Sequence, residues 1–198
     1  MWMNWSRGIL LMTIIYYVRH AKPNYENHDD FLRELTKEGV ESSQRVCDYL
    51  EDKKISAIYS SPYRRAIDTI EPFAKIARLS LQVKDEFRER KISSAWIDDF
   101  VTYSKHQWED FYYKLSGGEC LAEVQQRNVK ALQEVLTEHA DQNVVIGGHG
   151  TALSTILNYY DRSFGYEQFE QIKNIMPLIV AMTFEGTKCV GYEFIEVV

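Results

Sequence analysis

The sequence is poor in residues that would tie a chain together covalently or through a metal. It has 3 cysteines among 198 residues, and Cys47, Cys120 and Cys189 stand far apart with no CxxC pair. An odd, scattered set excludes a disulfide framework and fits a reducing compartment, so a cytoplasmic location is expected. The 5 histidines, at 20, 28, 106, 139 and 149, show no zinc spacing. The spacing thus offers no zinc site. With 4 prolines and 10 glycines, and no repeat or low-complexity stretch, the chain offers no linker. A single domain over residues 12–198 is the expectation.

Excess basic charge is also missing. The formal net charge is −6, from 23 basic and 29 acidic side chains. Nucleic-acid binders usually present a basic face, so no nucleic-acid partner is expected. A few arginines in one pocket would still suit a small phosphorylated substrate. No long hydrophobic run is present either. Ile9 to Val18 is apolar but too short to span a bilayer, and no small-residue cleavage site comes after it. No membrane association is expected, and residues 1–11, with Trp2 and Trp5, form an N-terminal extension of no assigned function.

What the chain does have is an alternation of strand-like and helix-like runs, the pattern of an α/β domain with a mostly parallel sheet. Met12–Val18 is β-branched and aromatic on both faces, as a buried parallel strand should be. Thr36 is placed to cap a helix carrying Val40, Val46, Cys47 and Leu50 on roughly one side. Ile55–Tyr59 reads as a second strand. The next helix carries Ala66, Ile67, Ile70, Phe73 and Ala74, with Pro72 expected to kink or restart it. Leu81–Lys84 is a weaker third strand, and 92–117 reads as irregular and aromatic. A long helix is expected over 121–140, then a strand at Val144–Ile146 and an amphipathic helix through Tyr160. Leu178–Phe184 and Cys189–Val197 read as a hairpin. Its edge strands offer a route to a homodimer, although the sequence leaves the oligomeric state open.

The residues just past the predicted strands carry the chemistry. Arg19-His20 lies past the first, Arg64-Arg65 past the second, Glu89 past the third and His149-Gly150 past the fourth. In open α/β sheets ligands bind beyond the carboxyl ends of the strands. Guanidinium groups suit the planar, multidentate recognition of a phosphoryl dianion. They would also repel a proton from His20 and keep its imidazole neutral and nucleophilic. A carboxylic acid such as Glu89 could protonate a leaving alkoxide. The N–H groups of Gly150 and Thr151, at a helix start, are expected to add to the anion site.

These motifs, taken in order, resemble the histidine phosphatase superfamily. Val18-Arg19-His20-Ala21 is similar to its Arg-His-Gly signature, with alanine for glycine. Ser60-Ser61-Pro62-Tyr63-Arg64-Arg65-Ala66 resembles its second motif and Phe87-Arg88-Glu89 its acid motif. Gly117-Gly118-Glu119-Cys120-Leu121 through Arg127 resembles a helix start of the family. Val144 to Gly150 resembles its second histidine motif, and Leu35-Thr36-Lys37-Glu38-Gly39 is a further landmark.

The resemblance implies a three-layer α/β/α sandwich with a mostly parallel central sheet, as in phosphoglycerate mutases. It implies a metal-independent phosphatase, with no metal or organic cofactor, in which His20 is transiently phosphorylated. Arg19, Arg65 and His149 would hold the phosphoryl oxygens, and Glu89 would serve as general acid and then base. A phosphoglycerate-type mutase and a non-catalytic phospho-ligand binder are the alternatives. The choices between Arg64 and Arg65, between Glu86 and Glu89, and between Asn24 and Asn27 as the family's asparagine stay open at this point. So does the aromatic stretch 96–113, as core or as pocket wall. His28, His106 and His139 read as surface residues.

Overall fold

The computed structural model describes residues 12–94 and 97–197; Trp2, Trp5 and Trp96 therefore lie outside the described residues. Six strands form one sheet in the order β3-β2-β4-β1-β5-β6, where β1 is Met12–Arg19, β2 Ile55–Ser60, β3 Leu81–Val83, β4 Asn143–Gly148, β5 Leu178–Glu185 and β6 Lys188–Glu196. The β1–β4, β2–β4 and β2–β3 pairs are parallel. The β5–β6 hairpin adds to β1 in antiparallel fashion. The expected mostly parallel sheet is what the chain builds.

The alternation of side chains across the sheet divides the core in two. Ile15, Tyr17, Tyr59, Val144, Ile146, Val180 and Met182 point to one face, where they pack with α4 (Leu121–Glu138), α5 (Gly150–Tyr160) and α6 (Tyr166–Ile172). Tyr16, Val18, Ile58, Val145, Ile179 and Ala181 point to the other, against α1 (Lys37–Leu50) and α2 (Arg64–Ala77). Both faces are covered, which is why the central strands are apolar at every position rather than at every second one. The result is three layers.

Local chemistry sets the helix boundaries. Thr36 Oγ1 accepts the Gly39 N–H at 3.0 Å and starts α1. The Glu123 carboxylate accepts the Cys120 N–H at 2.9 Å and starts α4. Two elements differ from the sequence reading. Residues 100–109, read as irregular, form helix α3 (Phe100–Glu109), which Asp99 starts by accepting the Thr102 N–H at 3.0 Å. Residues 166–172 form α6, a helix the pattern did not announce. Pro72 lies inside α2, which runs through it without a restart. No helix among the described residues is long and apolar enough to cross a membrane.

Strand register aligns the ends that matter. Arg19 sits opposite Gly148 and Ser60 opposite Gly147. The ladder runs one residue past each end, with His20 N–H donating to Gly148 O at 3.0 Å and Ser61 N–H to Gly147 O at 2.9 Å. Gly148 makes this packing possible, because a Cβ there would lie 2.1 Å from the Tyr17 hydroxyl and 2.6 Å from its ring carbon Cζ. Tyr17 is fully buried and has little room to yield. We expect Gly148→Ala to cost about 1–3 kcal/mol through overpacking, seen as a lower urea midpoint with an unchanged slope. An unchanged midpoint would mean that the Tyr17 ring is free to shift.

Candidate active site

Beyond the carboxyl ends of β1, β2 and β4 lies a cavity of about 740 Å³, lined in part by Arg19, His20, Arg65 and Glu89. Four of the five expected site residues therefore share one wall. The fifth, His149, is fully buried, with its ring centroid 5.3 Å from that of His20. Its Nε2 lies 2.7 Å from Ser61 Oγ.

His20 Nδ1 lies 2.8 Å from the Ala21 carbonyl oxygen. A carbonyl can only accept, so Nδ1 carries the proton and the lone pair is on Nε2. Burial, and after it the Arg65 and Arg19 charges, holds the His20 pKa well below the ordinary histidine value. Burial, and after it Arg65 and His20, does the same for His149. His20 is thus a neutral, oriented imidazole facing a cavity.

Arg65, not Arg64, is the buried arginine of its pair. It is 3% exposed, whereas Arg64 lies at the surface and pairs with Asp68 at 3.2 Å. The Arg65 Nη1 donates to the Asp30 carbonyl at 2.5 Å and lies 3.1 Å from Asp30 Oδ1. Arg19 is placed differently from a free phosphate ligand. Its terminal nitrogens donate to the carbonyls of Ile172, Lys173 and Ile175 at 2.8, 2.7 and 3.0 Å, closing the C-terminal end of α6. Its Nε is buried without a partner among the described residues.

Glu89 lines the cavity, while Glu86 is exposed outside it. The Glu89 carboxylate accepts N–H groups from Arg90 at 2.7 Å, Thr151 at 3.0 Å and Ala152 at 3.2 Å. This corrects the expectation for the start of α5. The Thr151 N–H is not held open for a ligand anion, because the chain's own carboxylate already sits there.

A network that the sequence reading passed over fixes the backbone around Glu89. One guanidinium, Arg127, donates to the carbonyls of Glu86, Arg88 and Glu89 at 2.6, 2.8 and 3.2 Å. Its Nε and Nη2 also grip both oxygens of Glu119, at 2.9 and 3.0 Å. Glu119 in turn takes Arg88 Nη2 at 2.9 Å and the Lys91 N–H at 3.0 Å. Glu119, read as a helix-start residue, is thus an ion-pair hub. Its spacing from Arg127, a little over two helical turns, was the available signal.

Two further cavity arginines also went unassigned, Arg33 and Arg90, which are 9% and 3% exposed. Arg90 Nη1 donates to Gln107 Oε1 at 2.5 Å, and its guanidinium lies over the rings of Phe100 and Tyr103. The aromatic stretch divides between the two roles left open for it. Phe100 and Ile97 line the cavity, whereas Trp108 packs on Phe111, Phe164 and Phe169 in the core. His28 is exposed at the cavity, and His139 is tied to the Tyr59 hydroxyl at 2.9 Å. Among the described residues, no group of three or more His, Cys, Asp or Glu side chains is arranged to hold a metal ion.

Comparison with known proteins places this geometry. A family model described as the histidine phosphatase superfamily (branch 1) matches residues 15–191. Phosphoglycerate mutase-like protein 4 of Arabidopsis thaliana is 28% identical over 192 residues, covering 88% of this chain and 81% of its own. The native structure of a mycobacterial glucosyl-3-phosphoglycerate phosphatase shares the fold with a TM-score of 0.71 at 17% identity, over 92% of this chain and 97% of that one. A mutant phosphoserine phosphatase from Entamoeba histolytica, in complex with phosphoserine, does so with a TM-score of 0.73 at 17% identity, over 91% and 96%.

From the site's geometry we expect a stability that depends on pH and an activity sensitive to Arg127. The unfolded chain protonates its histidines near pH 6.5, whereas buried His20 and His149 resist protonation. Between their lowered pKa values and 6.5 the unfolded state binds more protons, so stability is complete above that range and declines as pH falls through it. Carboxylates with lowered pKa values, such as Glu123 at about 2, act at lower pH. We expect urea unfolding to lose up to about 1.4 kcal/mol per pH unit for each histidine below pH 6.5. The loss should shrink in a His20→Gln, His149→Gln double variant, and an equal slope there would refute the assignment. Separately, Arg127→Met should lower kcat on the order of 10²-fold by loosening the backbone that carries Glu89, while KM changes little. A rise in KM at constant kcat would instead place Arg127 in substrate binding.

Proposed function

The chain belongs to the histidine phosphatase superfamily (branch 1), and we propose that it is a metal-independent phosphoric monoester hydrolase working through a phosphohistidine on His20. The observation that carries this reading is the pairing, in one cavity, of an imidazole with a fixed tautomer and a carboxylate anchored by three backbone donors.

In this reaction the His20 Nε2 lone pair attacks phosphorus, and the phosphorus–oxygen ester bond breaks. The leaving alkoxide takes its proton from Glu89. The Nδ1–H bond to Ala21 stabilises the positive charge that develops on the ring. Arg65 bears on the phosphoryl oxygens, joined by Arg19 through its unpartnered Nε and by His149 beside His20. Water then attacks the phosphohistidine, gives a proton to Glu89 and releases orthophosphate and neutral His20. Both half-reactions use the same carboxylate, first as acid and then as base. The substrate is a small phosphate monoester, with Phe100, Ile97, Tyr25 and Phe31 available to its non-phosphate part.

The test is hydrolysis of p-nitrophenyl phosphate and of an alkyl phosphate, both with EDTA present. His20→Ala should lose activity on both substrates by on the order of 10³-fold or more. Glu89→Gln should lose about 10²–10⁴-fold on the alkyl ester and clearly less on the nitrophenyl ester, whose leaving group needs little protonation. Wild-type rates retained in His20→Ala would sink the nucleophile assignment. Equal losses on the two esters would remove Glu89 as the acid.

A further inference from the structure

The loop from Pro23 to Leu35, closed by a bridge between those two residues, departs from what the sequence suggested. Neither of its candidate asparagines lines the cavity. Both amides are taken by one carboxylate: Asn24 Nδ2 donates to Glu34 Oε1 and Asn27 Nδ2 to Glu34 Oε2, each at 2.7 Å. The loop instead sends a guanidinium to the wall. Arg33 is nine-tenths buried, and its Nε donates to the Asn27 carbonyl at 2.7 Å. Its Nη1 lies 3.3 Å from Asp30 Oδ1, the oxygen that also stands 3.1 Å from Arg65 Nη1. Among the described residues, Nη2 of Arg33 and both Nε and Nη2 of Arg65 have no hydrogen-bond partner.

Two buried guanidiniums thus share one oxygen of one carboxylate, and that carboxylate's side chain is 49% exposed. We propose that Arg33 and Arg65 together form the cradle for the substrate's phosphoryl group, and that the Asp30 carboxylate is a stand-in anion which an arriving phosphoryl group displaces. This rests on the reading of the cavity as a phosphoryl site. Buried guanidiniums are costly without an anion, so the pair needs a resident one of its own. A carboxylate oxygen accepts from guanidinium as a phosphoryl oxygen does, but it carries half the charge of a dianion and fewer acceptors. Asp30 already reaches water, so release costs it little desolvation. Its backbone carbonyl stays on Arg65 and keeps the loop attached.

A purely structural Asp30, there to hold the two arginines in place, gives the opposite sign when it is neutralised, and this makes the proposal testable. Orthophosphate binding to the full chain is measured by calorimetry at low ionic strength, which requires no turnover. Arg33→Gln should weaken the Kd about 10-fold or more, the loss expected for one charged donor. Asp30→Asn should tighten it about 3- to 10-fold, again on the scale of one charged contact, while lowering the Tm. The double variant should lose that gain. If Arg33→Gln does not fold, Arg33→Lys is used, and its loss of planar donors should also weaken binding. Weaker or unchanged phosphate affinity in Asp30→Asn overturns the proposal alone, provided the wild type binds orthophosphate. No binding by the wild type overturns the phosphoryl-site reading and this inference together.

Discussion

A guanidinium group taken out of water must be given back, by the protein, the acceptors that water supplied. Arg19, Arg33, Arg65 and Arg90 are all buried around one cavity, and much of the local architecture answers that demand. The terminal nitrogens of Arg19 are satisfied by carbonyls at the C-terminal end of α6, so this short helix is placed by an arginine from the far end of β1. Arg65 holds the loop before α1 through Asp30, and Arg90 ties α3 to the strand ends through Gln107. Satisfying each buried cation thus fastens one of the segments that wall the cavity. The same groups that attract an anion also hold the shape of its container.

The cations have a second effect, on the imidazoles between them. His20 and His149 lie in a field that disfavours a proton on either ring. A neutral His20 can act as a nucleophile, and the same field attracts the phosphoryl group it would attack. Glu89 stands apart from this scheme. Three backbone N–H groups hold it at the start of α5, and Arg127 fixes the chain behind it. Its carboxylate is positioned by the main chain rather than by a guanidinium fork.

Strands and their ends were legible because burial on both faces leaves near-continuous apolar runs, and ligands of such sheets gather at the carboxyl ends of the strands. That is why Arg19-His20, Arg64-Arg65, Glu89 and His149 could be assigned to one mouth from the sequence, while the choice of Arg65 over Arg64 rested on the family resemblance. Arg33 could not be, because a charged loop has no period to read and its function depends on the tertiary position of Asp30. The asparagines beside it misled for a related reason: an amide's partner is set by geometry, and Glu34 captured both. Helix α3 was hidden by its aromatic content, which serves two environments at once and so shows no single apolar stripe. The Glu119–Arg127 hub looked like ordinary helix-start chemistry until its contacts with the 86–91 backbone were visible.

The order of strands in the sheet also bears on how the molecule is made. β1, whose carboxyl end leads into His20, is made before both of the strands it lies between, β4 and β5. Its partners begin at Asn143 and Leu178, so β1 stays unpaired at least until Asn143 and the strand it opens have been made. Such long-range pairing is slow to form and leaves an apolar strand exposed in the meantime. A chain interrupted before Leu178 would carry every proposed catalytic residue and still lack one side of the strand that positions His20. The pairing that positions His20 is therefore completed only after Leu178–Glu185 has been made.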